Sequence, residues 1–283
     1  MPSYDLHRHL WPEQLVEALR ERTSPPCLRD GVLSLDPGGE FELDPAAYGL
    51  AACLADIERS GIDVAVVSCP PTLGISELPE LLDAYHEGAL AAVESAGGRL
   101  QALSLSRPHD GFVGICVSGA ALLDLDRLAP SFDEIERRGS FVFVHPGPAQ
   151  PPPRAPLWWS AAVDYCAEMQ AAYAAWLAGG VERWPRLNVL FAILAGGAPF
   201  QLERLQSRGA DIRPALRSTL FLDAASYGRR ALELCFATFG GRQIVFGSDA
   251  PVLETQLTLE PVRSFGQAAS DALCCENPHR LLT

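Results

Sequence analysis

Short apolar runs rich in β-branched residues alternate along the chain with longer segments in which apolar residues recur at helical spacing. Runs such as Ile62–Ser68 show no polar alternation, which is typical of strands that are buried on both faces of a parallel sheet. Strands that alternate with helices in this way favour an α/β fold. The predicted strands are Tyr4–His9, Ile62–Ser68, Leu100–Leu105, Phe112–Val117, Phe141–His145, Leu187–Leu194, Thr219–Leu222 and Gln243–Phe246.

Proline and glycine mark the ends of the helices between these strands. Asp44-Pro45 opens one helix and Ser60-Gly61 ends it, while Gly97-Gly98 ends the next. The predicted helices are Pro12–Arg22, Asp44–Arg59, Leu78–Ala96, Leu122–Arg138, Leu157–Ala178, Pro199–Arg208 and Tyr227–Phe239, with two short helices at the end. Together these elements predict a single (β/α)8 TIM-like barrel domain over residues 1–283.

Two segments depart from the regular alternation. After the first helix, Leu28–Leu35 and Glu40–Leu43 predict a small hairpin insertion. Between Leu105 and Phe112 the connection is shorter than the dozen or so residues that a crossover between parallel strands needs. We therefore predict a distorted barrel that lacks the helix between its third and fourth strands. That gap would expose apolar surface on one side of these two strands, and leaving such surface in water costs roughly 25 cal/mol per Å². We therefore predict a homo-oligomer in which a second copy of the chain covers it.

Composition narrows the class of protein. The length of 283 residues fits one α/β barrel, and the net charge of −13 argues against nucleic acid or a membrane as partner, so a small-molecule substrate is expected. All 22 basic residues are arginine, which excludes chemistry that depends on a lysine. Eight cysteines without C-x-x-C spacing, together with no signal peptide, predict reduced thiols in a cytoplasmic protein.

Four potential metal ligands lie at the carboxyl ends of predicted strands. His7 and His9 are two residues apart on an extended strand, so their side chains point to the same face. His145 ends another strand, and Asp249 follows the last one. In a barrel these ends meet on one face, where active sites lie. Three imidazoles and a carboxylate predict one divalent metal, zinc first, with manganese, iron or cobalt as alternatives. The alternative for Asp249 is a capping role at the next helix.

Three segments in this order carry a resemblance to a known family. They are Asp5–His9, Phe143–Gly147 and Phe246–Pro251, and Asn277–Leu282 resembles the family's closing segment. The chain resembles the amidohydrolase-related superfamily, in the branch that includes aminocarboxymuconate-semialdehyde decarboxylase. The resemblance implies that His7, His9, His145 and Asp249 bind one metal. It also implies decarboxylation or hydrolysis of a small carboxylated or aromatic substrate.

The segment after the sixth strand departs from this family. The family has His-x-Gly-Gly there, and that histidine is its acid/base group, whereas this chain has Leu194-Ala195-Gly196-Gly197. Since general acid–base help contributes roughly 10²–10⁴-fold, we expect weak or absent activity on ordinary family substrates. The alternative function is a metal-binding barrel that serves as a binding or regulatory protein without turnover.

Several residues are candidates for the remaining roles. Asp223 ends the seventh strand and, with Asp249, is a candidate for proton transfer, although a structural role for Asp223 is the stronger alternative. Arg154, in the proline-rich loop after His145, is a candidate to hold a substrate carboxylate. The Trp158-Trp159 pair is a candidate to cover the pocket, and Leu194 is a candidate for its wall. A solvated arginine and a packed aromatic pair are the alternatives.

Overall fold

Eight parallel strands form the central sheet in a computed structural model of the protein, which describes residues 1–283. Three further strands form a separate antiparallel sheet. The strands are β1 (Tyr4–His9), β2 (Cys27–Arg29), β3 (Val32–Leu35), β4 (Gly39–Glu42), β5 (Val64–Ser68), β6 (Leu100–Leu105), β7 (Gly114–Ser118), β8 (Phe141–His145), β9 (Asn188–Phe191), β10 (Leu220–Asp223) and β11 (Ile244–Val245).

The central sheet closes into a nearly complete barrel. Its strands pair in the order β1-β5-β6-β7-β8-β9-β10-β11. The first and last strands meet where the amide of Leu6 donates to the carbonyl of Phe246 at 3.1 Å and the amide of His9 donates to that of Ala250 at 2.8 Å. The predicted (β/α)8 barrel is therefore confirmed.

Helices surround the sheet, and most lie close to their predicted positions. They are α1 (Glu13–Glu21), α2 (Leu50–Ser60), α3 (Pro79–Ser95), α4 (Leu125–Arg138), α5 (Tyr165–Ala175), α6 (Val181–Arg183), α7 (Ile193–Ser207), α8 (Arg229–Phe239), α9 (Thr255–Arg263), α10 (Gln267–Asp271) and α11 (Asn277–Leu282). None of them combines the length and the apolar character needed to cross a bilayer.

Apolar residues on both faces of the strands fix the barrel. Every residue of β8 is buried, and the strand pairs residue for residue with β7, from Gly114 opposite Phe141 to Ser118 opposite His145. The buried apolar side chains form one cluster of 70 residues that spans the sheet and the inner faces of the helices. This continuous core holds the carboxyl ends of the strands in fixed register, which places their terminal side chains beside one another.

The insertion after the first helix differs from the predicted hairpin. It has three strands, in the order β2-β3-β4, because the segment predicted as one strand is divided by a turn at Asp30 and Gly31. Both turn residues have positive φ, 49° and 78°. Asp tolerates this region better than most residues and glycine adopts it without steric cost, so the turn is encoded locally.

The connection between β6 and β7 contains no helix, as predicted. The expected gap in coverage, however, is wrong, because Gln101 is the only residue of β6 that is not buried and the chain itself covers both strands. The Tyr85 hydroxyl donates to the carbonyl of Leu103 at 2.8 Å, and Nε2 of His86 accepts the amide of Leu105 at 3.2 Å. The homo-oligomer stays a prediction, but it no longer follows from uncovered strands.

Candidate metal centre

Four side chains converge at the carboxyl ends of β1, β8 and β11. One ligand atom from each of His7, His9, His145 and Asp249 lies within 4.8 Å of the others. The three imidazole rings form a triangle with centroid separations of 5.0 to 5.1 Å. His7 and His9 come from alternate positions of one strand, as predicted, and His145 is the last residue of β8. The arrangement therefore follows directly from the register of the barrel.

Each imidazole has an acceptor at its Nδ1 atom. His7 Nδ1 lies 2.7 Å from Oδ2 of Asp223, His145 Nδ1 lies 2.8 Å from the carbonyl of Pro146, and His9 Nδ1 lies 3.4 Å from the carbonyl of Ser68. We assign the ring protons to these Nδ1 atoms, which leaves each Nε2 lone pair free for a metal.

A divalent metal fits this donor set. The Nε2 atom of His7 is buried and has no hydrogen-bond partner. Oδ1 of Asp249 lies 3.0 Å from Nε2 of His9 and 3.4 Å from Nε2 of His7. Three imidazole nitrogens and one carboxylate oxygen around one point match the ligand types that zinc and other first-row divalent ions take in proteins.

The charges of the site are strongly coupled. Burial alone would lower the pKa of His7, but the negative charges of Asp223 and Asp249 outweigh it and raise the pKa to about 9. Burial and the neighbouring His7 and His9 rings hold the pKa of His145 well below its ordinary value. Burial would raise the pKa of Asp249, but the surrounding imidazoles lower it. Without a cation, the cluster therefore binds protons mainly on His7.

Asp223 lies behind the ligands and does not line the cavity above them. It is fully buried, and besides His7 its carboxylate accepts the amides of Ile193 at 2.8 Å and Ala225 at 3.0 Å. These three partners hold the carboxylate behind the ligands, so the geometry supports the structural alternative, and the role of Asp223 in proton transfer stays a prediction. Asp223 is a positioning residue that orients the His7 ring.

A second buried carboxylate fixes the segment that carries Asp249. Asp5 accepts the hydroxyl of Ser248 at 2.6 Å and its amide at 2.9 Å. The amide of Asp249 in turn donates to the carbonyl of His7 at 2.8 Å. Asp249 has a φ of 62°, which turns the chain sharply after β11. These contacts hold the carboxylate over the imidazoles without help from a ligand.

The sequence predicts a strand that continues to Leu194, but β9 ends at Phe191 and the segment after it is a left-handed turn. Residues 193–197 all have positive φ, from 46° to 100°. Asp223 accepts the amide of Ile193, and Gln170 Nε2 donates to the carbonyl of Gly196 at 2.6 Å. Because of this turn, Ile193 lines the cavity, whereas Leu194 is buried outside it. Ile193 therefore takes the place in the apolar wall that was proposed for Leu194, and a role of Leu194 in substrate binding stays a prediction.

A cavity of about 340 Å³ lies above the ligands. The ligands form its floor, and Tyr48, Thr72 and Tyr165 add hydroxyl groups. Burial, and then the charge of Asp249, raise the pKa of both tyrosines, so both stay protonated and can donate hydrogen bonds. The antiparallel sheet and the residue after its last strand supply much of the upper wall, with Leu33, Leu35, Phe41, Glu42 and Leu43.

Sequence reasoning missed these wall residues. Tyr48 and Tyr165 lie in or beside helical segments, where residue type gives no sign of which face meets a cavity. It also missed Glu168, whose carboxylate accepts the amides of Ala120 at 2.7 Å and Gly147 at 3.0 Å. That contact ties down the loop whose Pro146 carbonyl orients His145. The sequence carried no signal for this role, because a glutamate in a helix is ordinarily a surface residue.

The proposed substrate-contacting residues of the proline-rich loop lie elsewhere. Arg154 is exposed and has a φ of 64°. Trp158 is 61% exposed, and its ring packs beside that of Trp159 with a centroid separation of 6.1 Å. None of the three lines the cavity, so the geometry does not support their roles in substrate binding, which stay predictions. The exposure of Arg154 agrees with the alternative of a solvated arginine.

Comparisons with known proteins place the chain in context. The sequence profile of the amidohydrolase family matches residues 4–283. The 2-amino-3-carboxymuconate-6-semialdehyde decarboxylase of Dictyostelium discoideum is 24% identical over 323 residues, covering 95% of this chain and 88% of that protein. These matches confirm the resemblance to the decarboxylase branch, and the prediction that the chain is an enzyme accords with them.

Solved structures share the fold. The apo crystal structure of IDCase from Metarhizium anisopliae has a TM-score of 0.84 at 20% identity, covering 99% of this chain and 97% of that one. A 5-carboxyvanillate decarboxylase from Novosphingobium aromaticivorans, complexed with manganese and 4-hydroxy-3-methoxy-5-nitrobenzoic acid, has a TM-score of 0.72 at 14% identity, covering 99% and 96%. At these identities the likeness concerns the barrel and its strand order.

Proposed function

This chain belongs to the amidohydrolase family, and on that premise we propose that it is a metal-dependent decarboxylase of a small carboxylated aromatic compound. The observation that carries the proposal is the convergence of three imidazoles and one carboxylate on the floor of a mostly apolar cavity. The decarboxylase names of its relatives favour decarboxylation over the hydrolysis that the sequence left open.

His7, His9, His145 and Asp249 would hold the metal. Zinc is the first choice for this donor set, and manganese, the ion named for the carboxyvanillate decarboxylase, is the strongest alternative. When bound, a divalent cation supplies Lewis-acid stabilisation of negative charge on a substrate carboxylate. Asp223 keeps the His7 ring oriented for this role, and the Pro146 carbonyl does the same for His145.

Decarboxylation breaks the bond between the carboxylate carbon and the ring carbon. The electron pair stays on the ring carbon, a proton must arrive there, and carbon dioxide leaves. Asp249 is the only carboxylate on the cavity floor. Because the imidazoles lower its pKa, it is ionised at rest, so we assign to its free oxygen the relay of a proton from solvent to the ring carbon. Tyr48 and Tyr165 donate hydrogen bonds that hold the substrate, and the apolar wall at Ile193 excludes water from the ring.

The enzyme belongs in the cytoplasm under this proposal. All eight cysteines are unpaired, and six of them are buried. Free thiols in this number suit a reducing compartment.

Turnover measurements on the metal-loaded protein test the proposal. A panel of hydroxybenzoates is incubated with protein loaded with zinc or manganese, and released carbon dioxide is measured together with the decarboxylated product. We expect release from at least one compound, and none from a His7→Ala/His9→Ala variant.

A second candidate function is a binding barrel without turnover. It is favoured by the apolar Ile193 and Leu194 where the family carries its acid/base histidine. Saturable binding of these carboxylates to the metal-loaded protein, with no carbon dioxide released from any of them, would support this candidate against the decarboxylase.

A further inference from the structure

Glu168, on α5, reaches two loops that follow neighbouring strands of the barrel. Its Oε1 accepts the amide of Ala120, after β7, at 2.7 Å and the amide of Gly147, after β8, at 3.0 Å. Its Oε2 also lies 3.0 Å from the amide nitrogen of Gly147. A carboxylate that accepts backbone amides makes stronger hydrogen bonds than a neutral acceptor does. This half-buried side chain therefore fastens both loops at the face that carries the metal ligands.

One peptide group connects Glu168 to a metal ligand. The N–H of the peptide between Pro146 and Gly147 donates to Glu168, and its C=O accepts the Nδ1–H of His145 at 2.8 Å. This peptide is trans, so it is planar and its N–H and C=O point in opposite directions. Glu168 therefore fixes the direction of the carbonyl to which His145 donates. A negative charge at the N–H also polarises the peptide and makes that carbonyl a stronger acceptor.

Two glycines allow the carboxylate to approach the loops. A Cβ atom at Gly119 would lie 3.1 Å from Cγ and from Oε1 of Glu168, and a Cβ atom at Gly147 would lie 3.2 Å from the same Oε1. These distances are shorter than ordinary van der Waals contact, so a larger residue at either position would move the carboxylate or the loop. The glycine that follows His145 and Pro146 therefore belongs to this contact.

We propose that Glu168 is a positioning residue for the metal ligand His145 and acts through the peptide group that follows Pro146. Asp223 has the corresponding place behind His7, where it contacts Nδ1 directly at 2.7 Å. At His145 the carboxylate lies one peptide group further away, so each of these two ligands has a carboxylate that orients its ring and raises its basicity. The inference rests on the metal centre of the proposed function, and it assigns to that centre a residue that does not line the cavity.

Zinc binding by two variants tests the inference. Glu168→Ala removes the acceptor and should lower zinc affinity by about tenfold, at the lower end of the range for residues that orient a ligand. Glu168→Gln keeps an oxygen where Oε1 accepts both amides, so it should recover most of the lost affinity. Competition with a chelator measures both variants. Affinity of Glu168→Ala equal to that of the unmodified protein, or of Glu168→Gln as weak as that of Glu168→Ala, would overturn the inference.

Gln243→Ala is the matched control for a loss of stability alone. Gln243 is also fixed to backbone groups, because its Nε2 donates to the carbonyls of Ala215, Arg217 and Leu220, near the amino end of β10. Its removal should lower the midpoint of thermal unfolding without changing zinc affinity. An equal loss of zinc affinity in Gln243→Ala and Glu168→Ala would mean a structural effect only and would contradict the positioning role.

A His145→Ala background tests whether the effect passes through that ring. With the ring removed, Glu168→Ala should cost little further zinc affinity, whereas a further loss of about tenfold would refute the route through His145. Gly147→Ala decides the inference if Glu168→Ala does not fold, because it disturbs the same contact without removing a polar group. It should lower zinc affinity, and unchanged affinity would count against the inference. Gly228→Ala, whose added methyl group meets no atom within 4 Å, should keep its affinity.

The carbon dioxide assay separates this inference from the proposed function. Weaker zinc binding by Glu168→Ala, with no carbon dioxide released by the unmodified protein, would leave the positioning role intact and remove the decarboxylase. Release of carbon dioxide by the unmodified protein, with unchanged zinc binding by Glu168→Ala, would do the reverse.

Discussion

His7 and His86 are both buried imidazoles, but their surroundings move their pKa values in opposite directions. Around His7, the carboxylates of Asp223 and Asp249 outweigh the effect of burial and raise the pKa to about 9. Around His86, burial and the neighbouring His109 lower it to about 4. Its Nε2 accepts a hydrogen bond from the amide of Leu105, and no carboxylate is hydrogen-bonded to the ring.

The difference shows what makes a buried histidine a ligand. Carboxylates at the strand ends orient the His7 ring and favour positive charge beside it, whether that charge is a proton or a metal. At the connection between β6 and β7, a backbone amide uses the lone pair of His86, and the rings of His109 and Phe112 lie about it with centroid separations of 5.0 and 5.1 Å. That ring serves the fold in its neutral form.

The largest expected effect is the loss of metal from the site formed by His7, His9, His145 and Asp249. The unmodified protein should bind about one divalent ion per chain, and His7→Ala/His9→Ala should bind less than about a tenth of that, because two of four ligands are gone. Elemental analysis after dialysis measures it. A His109→Ala/His279→Ala variant removes two histidines outside the cluster and should keep its metal. Equal loss of metal from both variants would contradict the assignment of the metal to His7, His9, His145 and Asp249.

The next effect is that of the carboxylate behind His7. Asp223→Asn keeps the shape of the side chain but removes the charge that orients the ring, so metal affinity should fall by about 10- to 100-fold. Competition with a chelator measures it. Asp211→Asn, at an exposed carboxylate paired with Arg213, should have no effect. Unchanged affinity in Asp223→Asn would exclude the positioning role.

The raised pKa of His7 predicts a pH dependence of metal binding. Below about pH 9 the metal-free cluster holds a proton on His7, and that proton must leave when the metal binds. Apparent affinity should therefore rise by about tenfold per pH unit from neutral pH until about pH 9, and then level off. Chelator competition across this range tests it, and a flat profile would contradict the assigned protonation.

In the metal-free protein the same group affects stability with the opposite sign. Because the pKa of His7 in the folded chain lies above its ordinary value of 6.5, protonated His7 stabilises the fold at lower pH. This stabilisation is lost as the pH rises through about 9.

The smallest expected effect concerns the titration of His86. Because the pKa of His86 is depressed to about 4, the unfolded chain binds more protons than the folded one between about pH 4 and pH 6.5. The free energy of unfolding should fall by about 1–2 kcal/mol as the pH is lowered through this range, with the shift discounted for partial solvation of the ring.

The matched variant for this effect is His86→Gln, whose side-chain oxygen can still accept the Leu105 amide but does not titrate. Its loss of stability with falling pH should be smaller than that of the unmodified protein in denaturant titrations. His279→Gln, at an exposed position, should match the unmodified protein. A difference between His86→Gln and the unmodified protein that does not depend on pH would point to packing instead.

The sequence by itself determined the barrel and the cluster of potential ligands. Apolar runs such as Phe141–His145 are specific enough to predict strands, and a parallel barrel brings the carboxyl ends of all its strands to one face. His7, His9, His145 and Asp249 each sit at such an end, so their meeting follows from topology alone. The missing helix between β6 and β7 could also be predicted, because chain length limits what a connection can contain.

Only the tertiary structure decided which other side chains face the cavity. The roles of Ile193 and Leu194 depend on five successive positive φ angles, which are fixed by contacts with Asp223 and Gln170 from distant parts of the chain. Asp223 contacts His7 because the barrel places the ends of β10 and β1 close together. The wall around Glu42 formed because an insertion folded back over the barrel. Each of these outcomes depends on contacts between residues far apart in sequence, which local patterns of polarity do not encode.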